Sequence, residues 1–146
     1  MKEYTEPRMH TVQHLLNQTM VRMFGCQRSF SAHIEKKKSK CDYHFTRNIT
    51  EEEKAEIENR INAVIAADLP VTKEFLPKSE ASDKYDVSRL PDSIEGLVGI
   101  VKIGDYDACP CGGQHVKSTG EIGCFTIVSS SFCDGVLRIR FKLKNR

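Results

Sequence analysis

His10 and His14 stand four residues apart, and about a hundred positions later Cys111 and His115 repeat that spacing inside the run CPCGGQHVKSTGEIG. Two histidines at i and i+4 of a helix present their imidazoles on one side, one turn apart. In C-G-G-Q-H the glycines let the backbone turn tightly and approach a ligand closely. Two imidazoles from a helix, with a thiolate and an imidazole from a loop, form a donor set that suits zinc, Zn2+. Each pair alone is ordinary; together, in a chain with five histidines, they point to a metal. Cys109, two residues before Cys111, is a further thiol that could replace it. Four ligands at once would leave a tetrahedral ion no open position, which is the habit of structural zinc. After the loop, Lys117, Ser118, Thr119, Gly120 and Glu121 offer hydroxyls, uncovered backbone N–H groups and a carboxylate. Such a run suits a small polar substrate or a phosphodiester end, and equally a plain turn before a strand.

The first pair needs a helix, and residues 8–24 supply one. Met9, Val12, Leu16, Met20 and Met23 follow the helical period, Thr5 can cap, Pro7 suits the first turn and Gly25 stops it. The histidines then lie at the edge of that apolar stripe. Residues 28–34 and 41–46 read as a hairpin with a lysine-rich tip at Lys36, Lys37, Lys38 and Lys40. Thr50 and Glu53 make a capping box for a second helix, with Ile57, Ile61, Val64 and Ile65 on its buried face and Leu69-Pro70 ending it. A strand is expected over 71–76, a polar loop with one short helical turn over 77–93, and strands over 95–103, 122–129 and 136–143. In the last, Leu137, Ile139, Phe141 and Leu143 alternate with Arg138, Arg140, Lys142 and Lys144, a core face and a basic face. The expected fold is α+β: an antiparallel sheet, helices packed on one face, and the zinc site between helix and sheet.

The 146 residues, 39% hydrophobic and 29% charged, suffice for one packed domain over 1–146. No apolar run could span a membrane. The segment MKEYTEPRMH lacks the apolar stretch of a secretory signal, so a cytoplasmic protein without a membrane partner is expected. Six irregularly spaced cysteines are then expected as reduced thiols, with Cys124 and Cys133 as small buried hydrophobes. A net charge of +2 permits nucleic-acid binding only where the cations cluster. The KKKSK tip is such a cluster, either a solvated turn or a phosphate contact.

HTVQHLL, followed about a hundred residues later by CGGQHVKSTGEIG, resembles the editing domain of alanyl-tRNA synthetases, which threonyl-tRNA synthetases share, and most closely its short stand-alone AlaX-type members. The resemblance covers nearly the whole chain. It implies hydrolysis, in trans, of the ester joining a wrong amino acid to tRNA, with serine or glycine on tRNA for alanine as the cargo. It also implies that His10, His14, Cys111 and His115 hold zinc, and that Thr119 and Gly120 belong to the substrate-lining loop. A hairpin hydroxyl would read the serine side chain; Ser31 matches it, with Ser29 the other position open. Lys36, Lys37, Lys38 and Lys117 would face tRNA phosphates. Since alanine is smaller than serine, discrimination needs a hydrogen-bonding group, not a size limit. The alternatives are a structural zinc module that binds RNA without chemistry, an editor of seryl-tRNA for threonine, and a metal hydrolase acting on another small ester.

Overall fold

The computed structural model describes residues 6–84 and 97–144. Helix α1 (Pro7–Phe24) starts with proline in its first turn, where the missing N–H is harmless, and ends at Gly25 in the left-handed region at φ 68°. Thr5, the expected cap, lies outside the described residues; Glu6 occupies the N-cap position without a side-chain cap bond. Met9, Val12, Leu16 and Met20 are buried as the period demands. Helix α2 (Glu51–Ala67) carries the expected box: the Glu53 N–H donates to Thr50 Oγ1 at 3.0 Å and the Thr50 N–H to Glu53 Oε1 at 2.8 Å. Ile57, Ile61, Val64 and Ile65 form its buried face.

The strands β1 (Ser31–His33), β2 (Ser39–His44), β6 (Cys124–Cys133) and β7 (Val136–Lys144) make an antiparallel sheet in the order β1-β2-β7-β6. Leu137, Ile139 and Phe141 of β7 join Cys41 and Tyr43 of β2 beneath α1 and α2 in one apolar core. Arg138, Arg140 and Lys142 take the opposite face, as alternation requires. A second antiparallel sheet holds β3 (Val71–Pro77), β4 (Leu97–Ile103) and β5 (Asp107–Pro110) in sequence order. Its Ile103 face joins the main core beside α1. Its Val98 and Ile100 pack on Ala81 of α3 (Lys78–Lys84), a short helix where the sequence reads a loop with one helical turn. Residues 85–93 of that expected loop lie outside the described residues.

Three local differences have physical causes. The first hairpin strand begins at Ser31, not 28, because Arg28 and Ser29 bond away from the sheet to Asp107 and Asn17. β6 runs to Cys133 because a bulge between Ile127 and Ser129 lets the serine tract keep pairing with β7. Its outer edge does not stay open: the Asn62 amide bonds both backbone groups of Phe125 at 2.8 and 3.0 Å, and Glu58 accepts from the Ile127 N–H at 2.7 Å. Cys124 and Cys133, expected buried, are exposed at the two ends of β6.

The α1–hairpin contact turns on Asn17, whose Oδ1 accepts from Tyr43 Oη at 2.7 Å and from the Ser29 N–H at 3.2 Å. Asn17→Ala leaves two buried donors without an acceptor and is expected to cost about 2–4 kcal/mol, measured by urea unfolding. A loss under about 0.5 kcal/mol would show that the pair is satisfied another way.

Candidate metal centre

The first ligand pair rides on α1, where His10 and His14 are buried at 6% and 5% exposure. The second follows β5, whose strand pairing with β4 carries Cys111 up to the helix: the Cys111 N–H donates to Gly99 O at 3.0 Å. His10, His14, Cys111 and His115 offer ligand atoms that all lie within 4.8 Å of one another. Cys111 Sγ is 3.5 Å from His10 Nε2 and 3.4 Å from His115 Nε2. The backbone loop closes over His10 at Gly113, where a Cβ would sit 2.2 Å from the ring's Cε1. Glycine is needed there because no side chain fits.

Hydrogen bonding sets which nitrogen of each ring is free. His10 Nδ1 meets the Gln114 carbonyl at 3.0 Å, an acceptor only, so the proton sits on Nδ1. The Thr11 hydroxyl gives its one proton to Pro7 O at 2.7 Å and accepts from the Val116 N–H at 3.2 Å. His115 Nδ1, 3.0 Å from the same oxygen, must therefore also donate. Both rings therefore turn Nε2, the atom a metal would take, toward Cys111. His14 Nδ1 points the other way, to Asp107 Oδ2 at 3.5 Å and Cys109 Sγ at 3.2 Å.

His14, Asp107 and Cys109 form a second group with ligand-like spacing. Its carboxylate is already committed. Arg28 grips Asp107 with two bonds of 2.8 and 3.2 Å, and Gln18 Nε2 donates to Oδ1 at 2.8 Å. A second dication would have to displace a guanidinium, so Asp107 serves as the carboxylate that orients His14. Cys109 meets His14 on this outer side and does not join the four-residue group. Sequence reasoning passed over Asp107, Arg28, Gln18 and Thr11. Only Asp107 carried a signal, as a carboxylate two residues from Cys109 in D-A-C-P-C.

The charges agree with a cation's site. Burial opposes a thiolate at Cys111, yet the His10, His115 and His14 rings hold it down to about 3. Burial and the neighbouring imidazoles push His115 down to about 4, against the pull of Cys111. Burial lowers His14 too, but Asp107, Cys109 and Cys111 outweigh it and raise the ring well above its usual value. Burial would raise Asp107, yet His14 and Arg28 keep it at about 2. A thiolate flanked by the Nε2 atoms of two rings, beside a third ring backed by a carboxylate, fits Zn2+.

An open cleft of about 420 Å³ lies against the ligand loop, lined by Thr72, Lys73, Gly113, His115 and Lys117 among others. Lys36, Lys37 and Lys38 are exposed at the hairpin tip, and Lys117 is exposed at the cleft. Ser31 pairs with Asp42, which pairs with Arg138, so it lies on the sheet face opposite α1. Ser29 is buried beside Asn17, on the α1 side. Thr119 is fully buried: its hydroxyl donates to Val64 O and accepts from the Leu69 N–H, both at 2.8 Å. The Gly120 N–H donates to Asp68 Oδ1 at 2.9 Å, and a Cβ there would lie 2.4 Å from that oxygen. Thr119 and Gly120 thus clip the loop to the end of α2. Among the described residues no helix is long and apolar enough to cross a membrane.

Residues 98–140 match the family of the threonyl and alanyl tRNA synthetase second additional domain. Nearly the whole chain is similar to part of an alanine–tRNA ligase of Treponema denticola: 36% identical over 138 residues, 93% of this chain and 23% of the relative. The ligase of Pyrobaculum aerophilum is 36% identical over 96% of this chain and 17% of its own length. That of Bacillus subtilis is 32% identical over 84% and 14%. The chain spans less than a quarter of these curated relatives. It belongs to the editing-domain family of the alanyl-tRNA synthetases.

Two outcomes follow for the metal. Thr11→Val removes the acceptor that fixes His115 and is expected to weaken zinc binding roughly 10–100-fold, with Thr11→Ser close to wild type; competition with a chromophoric chelator reads this, and equal affinities for Val and Ser would refute the tautomer assignment. At neutral pH zinc must displace a proton that the raised His14 holds, so affinity should climb as pH rises through and above the ordinary imidazole range, with proton release. Calorimetry in buffers of different ionisation enthalpy measures the protons, and none released would contradict a charged His14.

Proposed function

We propose that the chain is a zinc-dependent aminoacyl-tRNA deacylase, its residues 1–146 forming one editing domain that acts in trans on seryl- or glycyl-tRNA for alanine. The observation that carries this is the convergence of His10, His14, Cys111 and His115 beside a cleft, in a member of an editing-domain family. The reaction adds water to the ester carbonyl carbon and breaks its bond to the ribose oxygen, which leaves with a proton as a hydroxyl. No nucleotide triphosphate is consumed.

The four ligands would hold Zn2+, which when bound supplies Lewis-acid polarisation and anchors the substrate or a water. The rest falls to the chain's own groups. Gly113 lets the loop lie on His10, and Thr119 and Gly120 fix that loop against α2. Lys73 and Lys117 bring positive charge to the cleft wall, where phosphates of an acceptor end would run. The hairpin tip Lys36, Lys37 and Lys38 would meet tRNA further out. Of the two hairpin serines, Ser29 is the better placed to read a serine hydroxyl, since Ser31 faces away from α1. The Ser29 side chain already bonds the Cys41 thiol, so discrimination would come from a serine hydroxyl joining that bond, which alanine cannot do.

One observation favours an alternative: four donors already saturate a tetrahedral ion, as in structural zinc sites. A zinc module that binds tRNA without hydrolysis is the form that alternative takes.

The chain, with and without chelator, should be incubated with seryl- and alanyl-tRNA for alanine and with seryl-tRNA for threonine. Chelator-sensitive loss of seryl-tRNA for alanine is expected, with alanyl-tRNA spared and His10→Ala inert. tRNA binding without any hydrolysis would establish the structural module instead, and preference for the threonine tRNA would reassign the substrate. Ser29→Ala is expected to reduce discrimination of serine over alanine on the order of tenfold or more. If Ser31→Ala does so and Ser29→Ala does not, the assignment reverses.

A further inference from the structure

Phe75 is the most exposed large hydrophobic side chain among the described residues, at 61%. It belongs to neither apolar core cluster. Its position is specific. In register it pairs with Gly99, and Gly99 O accepts from the Cys111 N–H, so Phe75, Gly99 and Cys111 form one row across the second sheet. Alternation puts Phe75 on the same face as Lys73, Val101 and Ile103, the face that α1 covers further along. The metal cluster and the open ring therefore share a face, about 10 Å apart at two strand spacings.

Gly99, between them, has no side chain, and its neighbours use the space. A Cβ on Gly99 would lie 3.3 Å from Cys111 O, 3.3 Å from Lys73 Cδ and 3.4 Å from Phe75 Cε1. Phe75 and Lys73 thus lean across Gly99 toward the ligand loop, and Lys73 Nζ donates to Gly113 O at 3.4 Å. Lys73 also lines the cleft beside His115. An uncovered aromatic face, an ammonium beside it and a cleft ending at a metal cluster match the three parts of an esterified nucleotide. The base is flat and stacks, the phosphate is anionic, and the ester lies at the ribose.

We propose that Phe75 is a stacking platform for the base of the nucleotide that bears the scissile ester, with Lys73 neutralising its phosphate. The proposal rests on the deacylase function above and adds a subsite to it. Stacking tolerates any base, so the platform would hold the end of the RNA without reading its sequence.

The chain has no tryptophan, so Phe75→Trp introduces a single indole at an exposed position. Its fluorescence should be quenched saturably by adenosine 5′-monophosphate and more strongly by the trinucleotide CCA, and left unchanged by ribose 5-phosphate. In deacylation of seryl-tRNA, Phe75→Ala and Phe75→Leu should both raise KM, on the order of tenfold, with kcat nearly unchanged, while Phe75→Tyr stays near wild type. Absence of quenching by both nucleotides, or a Leu variant equal to wild type, overturns the platform. Emission that changes with protein concentration but not with nucleotide would also overturn it, showing that the ring meets a second copy. Quenching without hydrolysis would keep the platform and sink the deacylase; hydrolysis without quenching would do the reverse.

Discussion

The Thr11 hydroxyl joins the two halves of the metal centre through a single oxygen. It spends its proton on the backbone of its own helix at Pro7 and so can only accept from the loop, from His115 Nδ1 and the Val116 N–H. That asymmetry has two consequences at once. It docks a loop a hundred residues distant in sequence onto α1, and it fixes a proton on His115 Nδ1, so that Nε2 turns inward. The Gln114 carbonyl does the same for His10. The loop therefore arrives with Nε2 of both rings already turned toward Cys111.

His14 obeys a different constraint. It has no loop carbonyl but a buried carboxylate, Asp107, that would itself be costly without partners. Arg28 and Gln18 supply them, and Arg28 comes from the segment leading into the hairpin. The stability of that buried charge thus links β5, α1 and the hairpin entry. The same links explain why the first hairpin strand is short: Arg28 and Ser29 cannot both serve α1 and extend β1. Ser29 is left buried on the site's side of the sheet, while Ser31 begins the edge strand on the other.

Periodic features were legible in the chain itself. The α1 stripe, the Thr50 box, the buried face of α2 and the alternation in β7 each repeat one physical rule several times, and each is present. The ligand spacings were legible for the same reason: i and i+4 leave little freedom on a helix. What stayed hidden depends on single long-range contacts. β5 is four residues long and pairs only because the turn before it returns the chain to β4. α3 showed in the sequence only as one helical turn, because it is short and polar outside Ala81. Thr11 reads as one more polar position between two histidines, and nothing local says that its oxygen meets position 115.

The S-T-G-E run shows how a motif can carry two meanings. Composition marks it as a polar loop fit for a ligand, but Thr119 and Gly120 are consumed by α2, and Ser118 and Glu121 by each other. The loop is tied down there, and the preceding residues, Gly112 to Lys117, line the cleft. The loop is thus anchored behind the site and docked in front by Thr11. Under the proposed function, recognition would draw on groups already in place on the neighbouring strand: β3 presents Lys73 and Phe75 on the face that Cys111 shares.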